Sequence, residues 1–358
     1  MNKKIGILLL VVMLTLSGCQ AQANKDQTKN QTQNQTQNIS NETYQRSEFV
    51  LGTIVSVKIF EDGSEAVLDE MFSRLEEIEL RMSFNAAESE VKDVNAAAGK
   101  NPIKVSEDTF DVISASIEFA EISDGRFDPT IGPLVQLWGI GSENAKIPTD
   151  QERYKATQLI DWKQVDLDGY KKSIYLKNPH MELDLGAIAK GYASDEVVRI
   201  LEENNVDRGI INLGGNVYAF GEKTDGSSWR IGVQNPLSDR GEYIGIVDLK
   251  NKSVVTSGIY ERYFEEDGVR YHHLLDTSTG FPIKTDLASV TVITESSIRA
   301  DALSTILFAA GVEDGKKMLE QYFPETEAIF ITLDKQVYST GLEDFEVEWT
   351  DESFEVMP

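Results

Sequence analysis

Residues 183–216 read Leu183-Asp-Leu-Gly186-Ala-Ile-Ala-Lys190-Gly-Tyr-Ala-Ser-Asp195-Glu-Val-Val-Arg-Ile200-Leu-Glu-Glu-Asn-Asn205-Val-Asp-Arg-Gly-Ile210-Ile-Asn-Leu-Gly-Gly215-Asn216. A short strand ends at Asp184-Leu185, a glycine turn follows at Gly186, a helix runs from about Ala189 to Glu203, and Arg208 to Leu213 is a buried strand closed by glycines. Downstream, strands are expected at Ile244 to Leu249, Ala288 to Thr294 and Ala328 to Leu333, with a helix from about Ser297 to Ala310 ended by Gly311. Upstream, Phe49 to Phe60 alternates as a strand, and Leu68, Met71, Phe72, Leu75 and Ile78 mark the buried face of the next helix. Ser106 is placed to cap a further helix carrying Val112, Ile113, Ser116, Phe119 and Ala120 on one side. Helices and strands do not alternate strictly, which favours α+β over a doubly wound sheet.

The chain has 358 residues, 41% of them hydrophobic, enough for a substantial core. Its formal charge of −26 argues against nucleic acid as a partner, because phosphate binding needs a basic face. An anionic substrate would need a local remedy on so acidic a surface, a metal ion or a helix amino terminus.

The first residues read as an address. Lys3-Lys4 precede an apolar run from Ile5 to Leu16, and Leu16-Ser17-Gly18-Cys19 closes it with small residues before the only cysteine. The run is too short to span a bilayer as a mature helix. It resembles the lipobox of bacterial lipoproteins, which implies lipidation at Cys19 and tethering to a membrane face without spanning it. Asn24 to about Thr43 is mostly Gln, Asn, Thr and Lys, a composition that cannot bury a core; as a coil it would reach roughly 25 Å. The expected organisation is a signal peptide over 1–18, the lipidated cysteine and tether over 19–43, a catalytic domain over 44–350 and an acidic tail over 351–358, with Leu342 to Pro358 forming an edge strand and then a loose terminus.

Chemistry is expected where polar groups enter apolar surroundings. Asp301 and Thr305 stand four apart on a helix whose run after Asp301 is apolar apart from the hydroxyls of Ser304 and Thr305, so they share a face and offer two hard oxygens to one cation. The alternative is that Asp301, in the first turn, complements its helix dipole while Thr305 bonds to the backbone. Oxygen ligands point to Mg²⁺ or Ca²⁺ and away from zinc. Lys190, in a glycine turn that opens a helix, is either a phosphate contact or a solvated lysine. His273, three residues before Asp276, is either a proton acceptor near neutral pH or a hydrogen-bonded core residue. Arg126-Phe127-Asp128-Pro129 lies in a stiff loop and Arg81-Met82-Ser83-Phe84 ends a helix; either is a flat-ring contact or plain packing.

Together these runs resemble the ApbE-type FAD:protein FMN transferases. The likeness rests on Met82-Ser83-Phe84, Gly125 through Leu134, Leu183 through Ala193, Thr256-Ser257-Gly258, His273 through Gly280 and Ala300 through Thr305, spanning roughly Phe49 to Leu333. It implies the fold of that family, mixed sheets with flanking helices and a flavin cleft between two lobes. It implies FAD as substrate, and a divalent ion, usually Mg²⁺, held by the side chains of Asp301 and Thr305 and the carbonyl of Ala187. Met82, Arg126, Phe127, Asp128, Asp184, Lys190 and Leu275 fall where the family contacts FAD, and His273 matches the histidine that assists attack by an acceptor hydroxyl. The implied activity is transfer of FMN to a Thr or Ser of an exported protein, forming a phosphodiester and releasing AMP, with Asp301 as catalytic as His273. An FAD pyrophosphatase and a non-catalytic flavin-binding lipoprotein are the rival readings. Two positions depart from the pattern. Thr277 stands where many relatives have proline, which would loosen the turn after Asp276, and Ser304 stands where some carry a carboxylate near the metal.

Overall fold

The strand expected over Phe49 to Phe60 is in fact a hairpin, Thr43–Val50 paired antiparallel with Thr53–Phe60 through Leu51-Gly52, both at positive φ. Such a primed two-residue turn matches the twist of its strands. In the computed structural model, residues 43–60, 64–340 and 346–358 are described. The expected signal peptide, Cys19 and nearly all of the tether lie outside them.

Among the described residues the hairpin begins a nine-stranded sheet. Its order continues through Gly209–Leu213, Asn216–Phe220, Lys252–Gly258, Leu287–Thr294, Glu327–Thr332, Gln336–Ser339 and Glu355–Val356. Every pairing is antiparallel except the last, as an α+β fold requires. The strands Leu287–Thr294 and Glu327–Thr332 are buried along their whole length, because the sheet is covered on both faces. Alternation sorts their side chains. Val290, Val292, Ala328 and Phe330 face the main core, which also takes the apolar sides of the helices Glu65–Met82, Ala189–Glu203 and Ser297–Tyr322. Ile293, Ile329 and Ile331 face a second core under the three-stranded sheet of Val347–Trp349, Tyr243–Leu249 and Trp229–Gln234.

Three further expectations need correction. The short strand before Gly186 is a single bridge, Ile131 to Glu182, after which Leu183–Leu185 is extended but unpaired. Gly311 breaks the helix geometry (φ 77°, ψ 179°), yet the chain resumes at once and runs helically to Tyr322. The carboxyl terminus is not loose: Phe354 is buried in the second core, and Glu355–Val356 pairs with Gln336–Ser339.

Candidate functional site

The site is built where the helices Ala189–Glu203 and Ser297–Tyr322 cross near their amino ends. A Cβ on Gly191 would stand 2.3 Å from the Ser297 carbonyl oxygen, so only glycine allows this approach. Each helix caps the other. Asp195 accepts hydrogen bonds from the amides of Ser297 (2.7 Å) and Ile298 (3.0 Å), two of the orphan donors of that helix start. In return Asp301 accepts one from the Gly191 amide at 2.9 Å. Asp301 is the fifth residue of its own helix, past the first turn where it was expected, so it complements the neighbouring helix's dipole and not its own.

Asp301 is 4% exposed, and its charge is met by the Lys190 ammonium at 3.2 Å from Oδ1 and 3.5 Å from Oδ2. Thr305 is half-buried one turn further along the same face. Ala187 lies in the turn that leads into the other helix, and the Gly191 amide, whose α-helical acceptor would be the Ala187 carbonyl, is aimed at Asp301. A carboxylate, a hydroxyl and a carbonyl are hard oxygens of the kind a Mg²⁺-like ion takes, and the lysine now supplies the positive charge the carboxylate requires. Among the described residues no group of three or more His, Cys, Asp or Glu is placed to hold a metal. A cation here would therefore rest on one carboxylate and neutral oxygens, with substrate oxygens completing its shell. The Ser304 hydroxyl is already engaged, bonded to Ser257 (2.8 Å) and to the Asp301 carbonyl (2.8 Å).

The histidine pair divides because neighbours on extended chain point to opposite sides. His272 is buried, its Nε2 on the Ile283 carbonyl at 3.2 Å and its ring edge-on to Phe308. His273 is half-buried, and its Nδ1 lies 3.2 Å from the Arg262 carbonyl. Only a protonated Nδ1 donates to a carbonyl, so Nε2 carries the free lone pair. Burial, helped by the positive charges of Arg262 and Lys190, lowers the His273 pKa to about 4, so the ring is neutral at pH 7. Asp184 belongs to the same neighbourhood. Its Oδ1 accepts the Gly186 amide at 2.7 Å, and burial pushes its carboxyl above the usual range against the pull of that bond, Arg262 and Lys190.

Backbone ties bring the other runs to this end of the molecule. The Asp184 amide donates to the Pro129 carbonyl (2.8 Å), the Thr277 hydroxyl to the Gly125 carbonyl (2.9 Å), and Trp138 Nε1 to the Gly280 carbonyl (2.7 Å). Thr277 thus holds the turn it was expected to loosen, and Asp276 Oδ1 secures it further through Ser278 and Thr279.

The expected residues separate into two groups. Lys190 and Asp301 touch, Ala187 and Thr305 lie within about one turn of them along the two helices, and Asp184 and His273 are near enough to feel the Lys190 charge. Met82, Phe127 and Leu275 have side chains buried in apolar clusters, Phe127 packing edge-on against Phe119. Asp128 spends its carboxylate on Thr130 and the Trp162 amide. Arg126 is exposed, 3.8 Å from Asp314. Arg262 was missed. It lies opposite His273 because Tyr263–Glu266 and Val269–His272 form a hairpin around Asp267-Gly268, and that Asp-Gly turn was a usable signal.

A model described as the ApbE family matches residues 51–330. The FAD:protein FMN transferase of Klebsiella pneumoniae (strain 342) is 39% identical over 297 residues, covering 83% of this chain and 92% of its own. That of Treponema pallidum (strain Nichols) is 37% identical over 315 residues, covering 83% and 87%. Among solved structures, the ApbE protein of Thermotoga maritima MSB8 matches with a TM-score of 0.75 at 33% identity, over 87% of this chain and 97% of that one. The flavin transferase ApbE of Vibrio cholerae matches with 0.74 at 29% identity, over 87% and 98%.

Proposed function

The chain belongs to the ApbE family, and from that premise we propose that it moves the FMN moiety of FAD onto a Thr or Ser hydroxyl of an exported protein. The observation that carries this reading is that His273 Nδ1 lies against the Arg262 carbonyl, which leaves Nε2 as the proton acceptor, while burial favours the neutral ring. Nε2 takes the proton of the acceptor hydroxyl as that oxygen bonds to the FMN-side phosphorus. The bond from this phosphorus to the bridging oxygen breaks, and AMP leaves with the electron pair. The protein product is an FMN phosphodiester. Lys190 and Arg262 set positive charge against the pyrophosphate, and Asp184 holds the glycine turn in shape through the Gly186 amide. Asp301, Thr305 and the Ala187 carbonyl would hold a divalent ion, Mg²⁺ in this reading, which when bound stabilises charge on the pyrophosphate and orients it.

The leader and Cys19 support an extracytoplasmic protein anchored by lipid. No helix of the described residues is long and apolar enough to cross a membrane.

The test mixes the protein with FAD, Mg²⁺ and an exported acceptor. An FMN-sized mass gain and in-gel fluorescence on the acceptor are expected, and Asp301→Ala should abolish both. AMP release at a rate indifferent to acceptor, with no acceptor labelling, would make the enzyme a pyrophosphatase instead.

A further inference from the structure

We propose that Lys190 keeps the cation's place on Asp301 in the substrate-free protein and yields it when the dinucleotide arrives, so that cation binding depends on FAD. The proposal rests on the reading of Asp301 as a cation ligand given above.

Both Asp301 oxygens are already engaged, Oδ2 by the Gly191 amide at 2.9 Å and Oδ1 by the Lys190 ammonium at 3.2 Å. The amide bond is fixed by the helix crossing, whereas the lysine is not. Its side chain is 24% exposed against 5% for that of Asp301, on a flexible four-carbon stem. An ammonium and a divalent ion crowded onto Oδ1 repel each other, and with the lysine still near, a cation would leave the site with a net positive charge half out of water. A pyrophosphate changes the balance. It brings two negative charges, accepts the displaced ammonium, and makes the sum over Asp301, Lys190, phosphates and divalent ion zero. The physical consequence is reciprocal: each ligand raises the affinity of the other by the same factor.

Mn²⁺ can report this by electron paramagnetic resonance of the free ion, titrated into the full chain in detergent with and without FAD. The wild type should bind Mn²⁺ at least about tenfold more weakly without FAD than with it. Lys190→Met should narrow that gap by tightening FAD-free binding, while Lys190→Arg, which keeps the charge, should retain it. Unchanged or weaker FAD-free binding in Lys190→Met would overturn the proposal. So would a wild type that binds Mn²⁺ equally well in both conditions. A separate arm uses Asp301→Asn: if this variant binds Mn²⁺ normally in the presence of FAD, the reading of Asp301 as a ligand fails, whatever Lys190 does.

Discussion

His273 presents its two ring nitrogens to different surroundings. Nδ1 is occupied by the Arg262 carbonyl and Nε2 is left to the reaction, and the cost of charging a ring buried beside two cations keeps it neutral. Protonation removes the acceptor, so activity is lost on the acid side. The acid limb of kcat/KM against pH should centre near 4, not near the ordinary 6.5; a limb at 6.5 or above would contradict this environment. His273→Ala should lower kcat by about 10²- to 10⁴-fold with a much smaller change in FAD affinity, read by steady-state kinetics and flavin titration. The same depressed pKa bears on stability. Between about 4 and 6.5 the unfolded chain binds the proton and the folded chain does not, so stability present above 6.5 is lost as pH falls towards 4. Unfolding midpoints followed from pH 7 to 4.5 should therefore fall less steeply in His273→Ala than in the wild type.

The site depends on the reciprocal capping of two helices more than on any loop. Gly191→Ala places a methyl against the Ser297 carbonyl, a backbone atom that cannot turn aside, so the helices must separate. A loss of about 1–3 kcal/mol is expected from denaturant unfolding, together with weaker binding of the proposed cation, because the Asp301–Gly191 contact opens with the crossing. Stability equal to the wild type would show that the helices tolerate the shift. At this scale the sequence was readable in part. The helix Ala189–Glu203 is bounded as its glycine turn and periodicity foretold, and the apolar run around Asp301 is buried as its composition required. What could not be read was that Asp301 caps the other helix, since the partner amide lies 110 residues away along the chain.

In the whole molecule, the large sheet is sandwiched between the helices and a smaller sheet, and its last strand comes from the acidic terminus. Phe354→Ala should cost about 2–4 kcal/mol by denaturant unfolding, where a loose tail would have cost nothing. By itself the sequence determined the class, the elements with clear periods, and an acidic balance that argues against a nucleic-acid partner, because local periodicity and side-chain charge are properties of short segments. Tertiary structure alone decided that Arg262 faces His273, that Met82, Phe127 and Leu275 point into the core, that Asp128 is spent on its own loop, and that a lysine sits on Asp301. Those outcomes depend on which segments meet and which side of a residue faces the meeting, and burial and pairing across the fold fix both.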